Sequence, residues 1–222
     1  METTYTEENY LKAIWSLSTK SGKGVSTNKI AERLETKASS VTDMIRRLSE
    51  KGLVDYIKYQ GVKLSSDGRE VAVRVIRKHR LWESFLVDKL GFNWDEVHDL
   101  AEQLEHIRST ELTDRLDAFL GNPKFDPHGD PIPSKDGSFP ERERRLLQSF
   151  KSGDEIIVTG VSDSSVAFLQ FLNRMKLELG TPLKVVEHIE FDQSMLVMRE
   201  DGNEQLLPQG VVSQLLVTEK RN

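Results

Sequence analysis

Apolar positions recur along this chain with two periods, and the change of period divides it. In "TEENYLKAIWSLS" they fall at 10, 11, 14, 15 and 17, the spacing of one helical face, with Thr6 as the expected N-cap. "VSTNKIAERLETKASSVTDMIRRLSEKGLV" predicts two short helices. The first runs from a Ser26 or Thr27 cap to about Leu34, and the second opens at Ser39 or Ser40 and stops before Gly52. "LVDYIKYQGVKLS" then reads as a small hairpin folded at Gln60-Gly61. A long helix follows a Ser65 or Ser66 cap and closes at Gly91. Another begins after Asn93, where Glu96 completes a capping box and Phe92 supplies a hydrophobic staple, and its pattern continues to His106. "STELTDRLDAFLG" predicts one more helix.

Residues 122–152 hold most of the prolines and little periodicity, which is the texture of a connector. Beyond Gly153 come the short runs "DEIIVTGV", "PLKVVEHIEF", "SMLVMRED" and "SQLLVTE", interrupted by a helical "SSVAFLQFLNRMK". Several short strands in one small region predict a β-barrel. The expected fold is therefore mainly α with small β parts.

Composition narrows the function. With 37% apolar and 30% charged residues, the 222-residue chain reads as globular. No run approaches the ~18 apolar residues that span a bilayer, and the N-terminus lacks the pattern of an export signal. A cytoplasmic protein without a membrane partner is expected. The absence of cysteine excludes disulfides, thiolate nucleophiles, cysteine-based zinc fingers and Fe–S clusters. The net charge of −5 conceals an asymmetry: residues 1–78 carry 15 Lys and Arg against 10 Asp and Glu, whereas the remainder carries 16 against 26. A basic front on an acidic chain suggests that the front alone meets a polyanion.

Helix, tight connection, helix and hairpin together make the winged helix-turn-helix pattern. Ile30, Leu34, Val41, Ile45 and Leu48 would hold the two short helices together. That leaves Lys37, Ser39, Ser40, Thr42, Asp43, Arg46 and Arg47 to meet base edges and phosphates, with Lys58 on the wing. The plainer reading is a structural or protein-docking module.

A second constellation lies in "VHDLAEQLEHIR". At about 100° per residue, His98, Glu102, Glu105 and His106 share one helical face. On the preceding helix His79 and Glu83 form another i, i+4 pair. Two facing helices would pool six nitrogen and oxygen ligands, which suits one or two divalent cations. The alternative is a solvated acidic face. There is no HExxH, no pair of Glu-x-x-His motifs, no nucleophile elbow and no glycine-rich phosphate loop, so an enzyme is not expected.

"NYLKAIWSL", "IAERLETKASSVTDMIRRLSEKGLV", "RKHRLWESFLVDKLGF", "VHDLAEQLEH" and "NPKFDPHGDPIP" resemble the diphtheria-toxin-repressor family of metal-dependent transcriptional regulators, of the manganese type. The resemblance is close over about residues 5–135; the tail is similar, more loosely, to the SH3-like domain of the longer members. It implies a winged helix-turn-helix domain over 1–74, a helical metal-binding and dimerisation domain over 75–140, and an SH3-like barrel over 153–222. It implies a homodimeric repressor of metal-homeostasis genes, with Mn2+ or Fe2+ as co-repressor and a pseudopalindromic operator as partner. It places Asn9, Glu102, Glu105 and His106 in a primary site. A second site takes His79, Glu83 and His98, with Asp163 as its completing ligand from the barrel. Where manganese-type members have an aspartate this chain has Asn9, with Glu8 as a possible substitute, and Lys12 stands where some have a further acid. "DPHG" is similar to a "CPHG" of some members, with Asp126 in place of cysteine. It reads first as an ordinary turn and second as a peripheral site of Asp126 and His128. Two other functions remain open: a winged-helix regulator sensing an organic ligand, and a di-metal hydrolase, for which no base or oxyanion donor is evident.

Overall fold

The structure is a computed structural model and describes residues 2–21, 24–57 and 61–220. Its contacts divide the chain into two compact units. The first comprises Met1–His79, Gln103–Thr110 and Pro133–Ser138. The second comprises Arg80–Glu102, Glu111–Ile132 and Phe139–Asn222.

The first unit opens with α1 (Tyr5–Ser21). Its cap is Thr4 rather than Thr6. The Thr4 hydroxyl accepts from the Glu7 N–H at 3.3 Å, and the Glu7 carboxylate accepts from the Thr4 N–H at 2.9 Å. This is a reciprocal capping box at the spacing Thr-x-x-Glu. Glu7 also pairs with Lys51 at 2.6 Å. Burial alone would push its carboxyl up, but the Lys51 ammonium and the Thr4 hydrogen bonds hold it below the usual range.

Next come α2 (Thr27–Arg33), capped by Ser26, and α3 (Ala38–Glu50). Helix α3 starts before the expected serines, with Lys37 in the cap position and no side-chain cap hydrogen bond. The strands β1 (Val54–Ile57) and β2 (Gly61–Leu64) form the antiparallel hairpin. Val25 bridges to Val62, extending that sheet. Gly61 sits at φ +89° with the Val25 carbonyl where a Cβ would be, so a side chain would break the bridge. Gln60 and Lys58 lie outside the described residues. Leu11, Ile14, Ile30, Val41, Ile45, Leu48, Leu53 and Val62 make one buried core. Helix α4 (Ser66–Leu90) begins in this unit, with the Ser65 hydroxyl accepting from the Gly68 N–H.

The second unit holds the rest of α4, most of α5 (His98–Leu104), and α6 (Thr110–Phe119). Leu81, Leu116 and Ile132 form a small core there, flanked by Trp82, Phe85 and Leu120. The Asn93 N–H does donate to Glu96 at 2.9 Å, but it closes a turn before α5 rather than capping the helix. Phe92 is too exposed to act as a staple.

The predicted barrel is realised as an open six-stranded sheet. Its strands are β3 (Arg145–Leu146), β4 (Glu155–Val161), β5 (Pro182–His188), β6 (Met195–Arg199), β7 (Glu204–Leu207) and β8 (Leu215–Glu219). They lie in the order β3-β8-β4-β5-β6-β7, with antiparallel neighbours. Strands β3 and β7 are too short and polar to have stood out in the sequence. Register shifts in β4 and β5 bend the sheet around its core. Helix α7 (Val166–Arg174) buries Leu169 and Leu172 in that core, and the one-turn α8 (Gln209–Val212) buries Val211 and Val212. No described helix is long and apolar enough to cross a membrane.

Candidate metal centre and DNA-reading surface

Helix α3 buries Val41, Ile45 and Leu48, packs a half-buried Met44 beside them, and exposes the rest. Lys37, Ser39, Ser40, Thr42, Asp43, Arg46 and Arg47 are all exposed. Asp43 and Arg46 pair at 3.5 Å, with both side chains in solvent. The Thr42 hydroxyl donates back to the Ala38 carbonyl. Six residues of one helix are thus presented without a packing role, as a groove-reading helix requires.

Within the first unit, α1 presents Tyr5, Glu8, Asn9 and Lys12 as an i, i+3, i+4, i+7 stripe. Lys12 Nζ lies 2.7 and 2.9 Å from the two carboxylate oxygens of Glu105, which is fully buried. His79 Nδ1 is 2.6 Å from Glu105 Oε2. His106 Nδ1 is 2.6 Å from Glu8 Oε2, its Nε2 is 3.6 Å from Glu105 Oε1, and the Tyr5 ring meets it edge-on. Burial would raise the Glu105 carboxyl, but the His79 hydrogen bond and the Lys12 charge hold it below the usual range. Asn9 Oδ1 is buried with no hydrogen-bond partner. An orphaned acceptor there costs about 1–3 kcal/mol, and an amide oxygen is a donor type that a hard cation accepts.

The helical face expected to run from His98 to His106 is cut short. Helix α5 ends at Leu104, and Glu105 and His106 stand in a turn. Their side chains meet Lys12 and Glu8 of α1 and His79 of α4. Glu102 remains on α5, half-exposed, 3.6 Å from His98 Nε2.

In the second unit, Glu83, Asp126 and His128 are each buried, and their ligand atoms all lie within 4.8 Å of one another. His98 Nδ1 is 3.5 Å from Glu83 Oε1, and His128 Nδ1 is 3.6 Å from Glu83 Oε2. Helix α4 places His79 one turn before Glu83. The turn preferred for "DPHG" is present, because Asp126 Oδ1 accepts the N–H groups of His128 and Asp130 at 2.9 Å each. The turn is also the cluster. Gly129 (φ +84°) lies so close to β4 that a Cβ would stand 2.1 Å from the Thr159 carbonyl, and the Val161 N–H donates to the His128 carbonyl. The sheet therefore braces the loop that carries Asp126 and His128.

His128 Nε2 is 2.7 Å from the Trp94 carbonyl, which makes Nε2 the protonated nitrogen and turns Nδ1 toward Glu83. Burial would lower the His128 pKa, but Glu83, Asp126 and the Trp94 carbonyl raise it. Asp126 is raised by burial and by Glu83 and Asp130, against the opposing Arg80 and His128. Two carboxylates and an imidazole thus share one buried space. Asp163 belongs to neither described cluster; its Oδ1 accepts from the Ser165 N–H ahead of α7.

A winged helix-turn-helix joined to buried sets of carboxylate and imidazole donors defines a DNA-binding regulator answering to a metal ion. Comparison with known proteins reaches the same class. Residues 2–62 match the iron dependent repressor N-terminal DNA binding domain. Residues 65–134 match the iron dependent repressor metal binding and dimerisation domain, and residues 145–219 match the FeoA domain. The iron-dependent repressor IdeR of Mycobacterium leprae is 32% identical over 201 residues, covering 88% of this chain and 78% of that protein. A solved manganese-dependent transcriptional repressor in complex with manganese is 39% identical, with a TM-score of 0.85, covering 96% of this chain and all of its own. The manganese regulator SloR aligns with a TM-score of 0.76 at 32% identity, over 96% of this chain and 98% of its own.

The chain belongs to the iron-dependent repressor family of metal-dependent, DNA-binding transcriptional repressors, and it carries a FeoA domain. Its matched domains make operator DNA and a second copy of the chain its partners.

Proposed function

We propose that the chain represses transcription when Mn2+ or Fe2+ occupies two sites per subunit. The first takes Asn9, Glu105 and His106, with Glu8 beside them. The second takes Glu83, His98 and His79 together with Asp126 and His128. Relatives named for iron and for manganese both align. The oxygen and imidazole donors, without sulfur, favour a hard divalent ion, Mn2+ first. The bound ion supplies the positive charge that these carboxylates share.

One observation carries the coupling. Helix α1 buries Leu11 and Ile14 in the winged-helix core and, on its other face, sets Glu8 and Lys12 on His106 and Glu105. A ligand set that includes α1 thereby fixes the helix behind the DNA reader. Metal and operator then favour the same conformation, and each raises the other's affinity. Dimer symmetry calls for a pseudopalindromic operator. Selection of genomic fragments by the full chain with Mn2+ and with chelator tests this. A pseudopalindrome recovered only with metal supports it, and identical recovery in both contradicts it.

A further inference from the structure

We propose that Lys12 is a tethered cation that competes with the metal ion for Glu105. The inference rests on the metal reading above and concerns the apparent affinity of the first site. The Lys12 ammonium holds both oxygens of a fully buried carboxylate, at 2.7 and 2.9 Å, while its own side chain is 18% exposed. An ammonium centred on a carboxylate fork lies where a cation held by Glu105 must approach. A monovalent and a divalent charge on one buried carboxylate repel strongly, because the surroundings screen them poorly. The lysine is able to yield: its stem is flexible and its partly exposed head can turn to water.

The pairing has two consequences. Without metal, Lys12 satisfies Glu105 and keeps α1 latched to the 103–110 segment, so the site does not fall open. With metal, the ion must displace the ammonium, which weakens binding and raises the metal concentration at which the repressor responds. His79, the other close partner of Glu105, donates from a ring nitrogen and carries no such obligatory charge.

The test uses the full chain with the second cluster silenced by Glu83→Gln and His128→Ala, and thermal melting confirms that this background folds. Mn2+ binding is followed by the electron paramagnetic resonance of the free ion, and by the rise in melting temperature at saturating Mn2+. Lys12→Gln keeps a hydrogen-bond donor for Glu105 without the charge, and Lys12→Met removes both. Both are expected to bind Mn2+ roughly tenfold or more tightly than the background, as removal of a repelling charge implies, with a larger Mn2+-induced melting shift. Lys12→Arg, which retains the charge, should bind no more tightly than the background. Equal or weaker Mn2+ binding by Lys12→Gln overturns the competition. A background that binds no Mn2+ at all overturns the first metal site itself, a different and distinguishable failure.

Discussion

The Trp94 indole N–H donates to Asn173 Oδ1 at 2.6 Å, joining the turn before α5 to helix α7 of the sheet domain. Asn173 Nδ2 and Gln170 Nε2 both reach Asp95 in the same turn. The Trp94 carbonyl in turn holds His128, and the two rings stack 6.1 Å apart. The FeoA-type domain therefore holds the turn whose carbonyl orients the His128 imidazole, a proposed metal ligand. Asn173→Ala is expected to weaken Mn2+ binding at the Glu83 cluster by about tenfold, the usual effect of losing a group that orients a ligand. Calorimetric Mn2+ titration of the variant against the parent checks this.

The cluster itself is tested by stoichiometry. Glu83→Gln with His128→Ala removes two donors from one site and should lower the Mn2+ bound per chain by one ion. Equilibrium dialysis at saturating Mn2+ gives the count, and circular dichroism shows whether the fold persists.

Gly129 is the point at which the Asp126–His128 turn touches β4. Gly129→Ala forces a Cβ onto the Thr159 carbonyl and an unfavourable φ, so the turn must move away from the sheet. A loss of about 1–3 kcal/mol is expected, read by urea unfolding, together with weaker Mn2+ binding at the same cluster.

On the DNA side, Arg46 is exposed and pairs with a solvated Asp43 on its own helix. Arg46→Ala should leave metal binding intact and weaken operator binding. If its contact is to phosphate, the salt slope of log affinity falls by about one. By contrast Ile45→Ala, a core truncation one residue earlier, should cost about 2–5 kcal/mol of stability, so the two adjacent substitutions separate reading from folding.

The winged helix was legible because its apolar spacing is local: Ile30, Val41, Ile45 and Leu48 are the buried positions that the pattern picked out. The grouping of the candidate metal-site residues was legible only in part. Extending one helical face through His106 assumed that the helix continued, whereas Glu105 is drawn off by Lys12, a partner 93 residues away that no local period reveals. Asp126 and His128 read as a turn because Asp-Pro-His-Gly is a turn. That the same turn is buried against β4 with Glu83 depends on a sheet that begins some twenty residues later. The stripe of Tyr5, Glu8, Asn9 and Lys12 was a usable signal, being polar residues at helical spacing on the face opposite Leu11 and Ile14.

The measurement that most directly tests metal control of DNA binding is fluorescence anisotropy of a labelled operator duplex, titrated anaerobically with the protein at fixed Mn2+, fixed Fe2+, or excess chelator. Affinity is expected to rise about 5- to 150-fold with either metal, the usual range for coupled sites, to be reversed by chelator, and to lose its metal dependence in Glu105→Ala. Equal operator affinity in Mn2+, Fe2+ and chelator would contradict metal control outright.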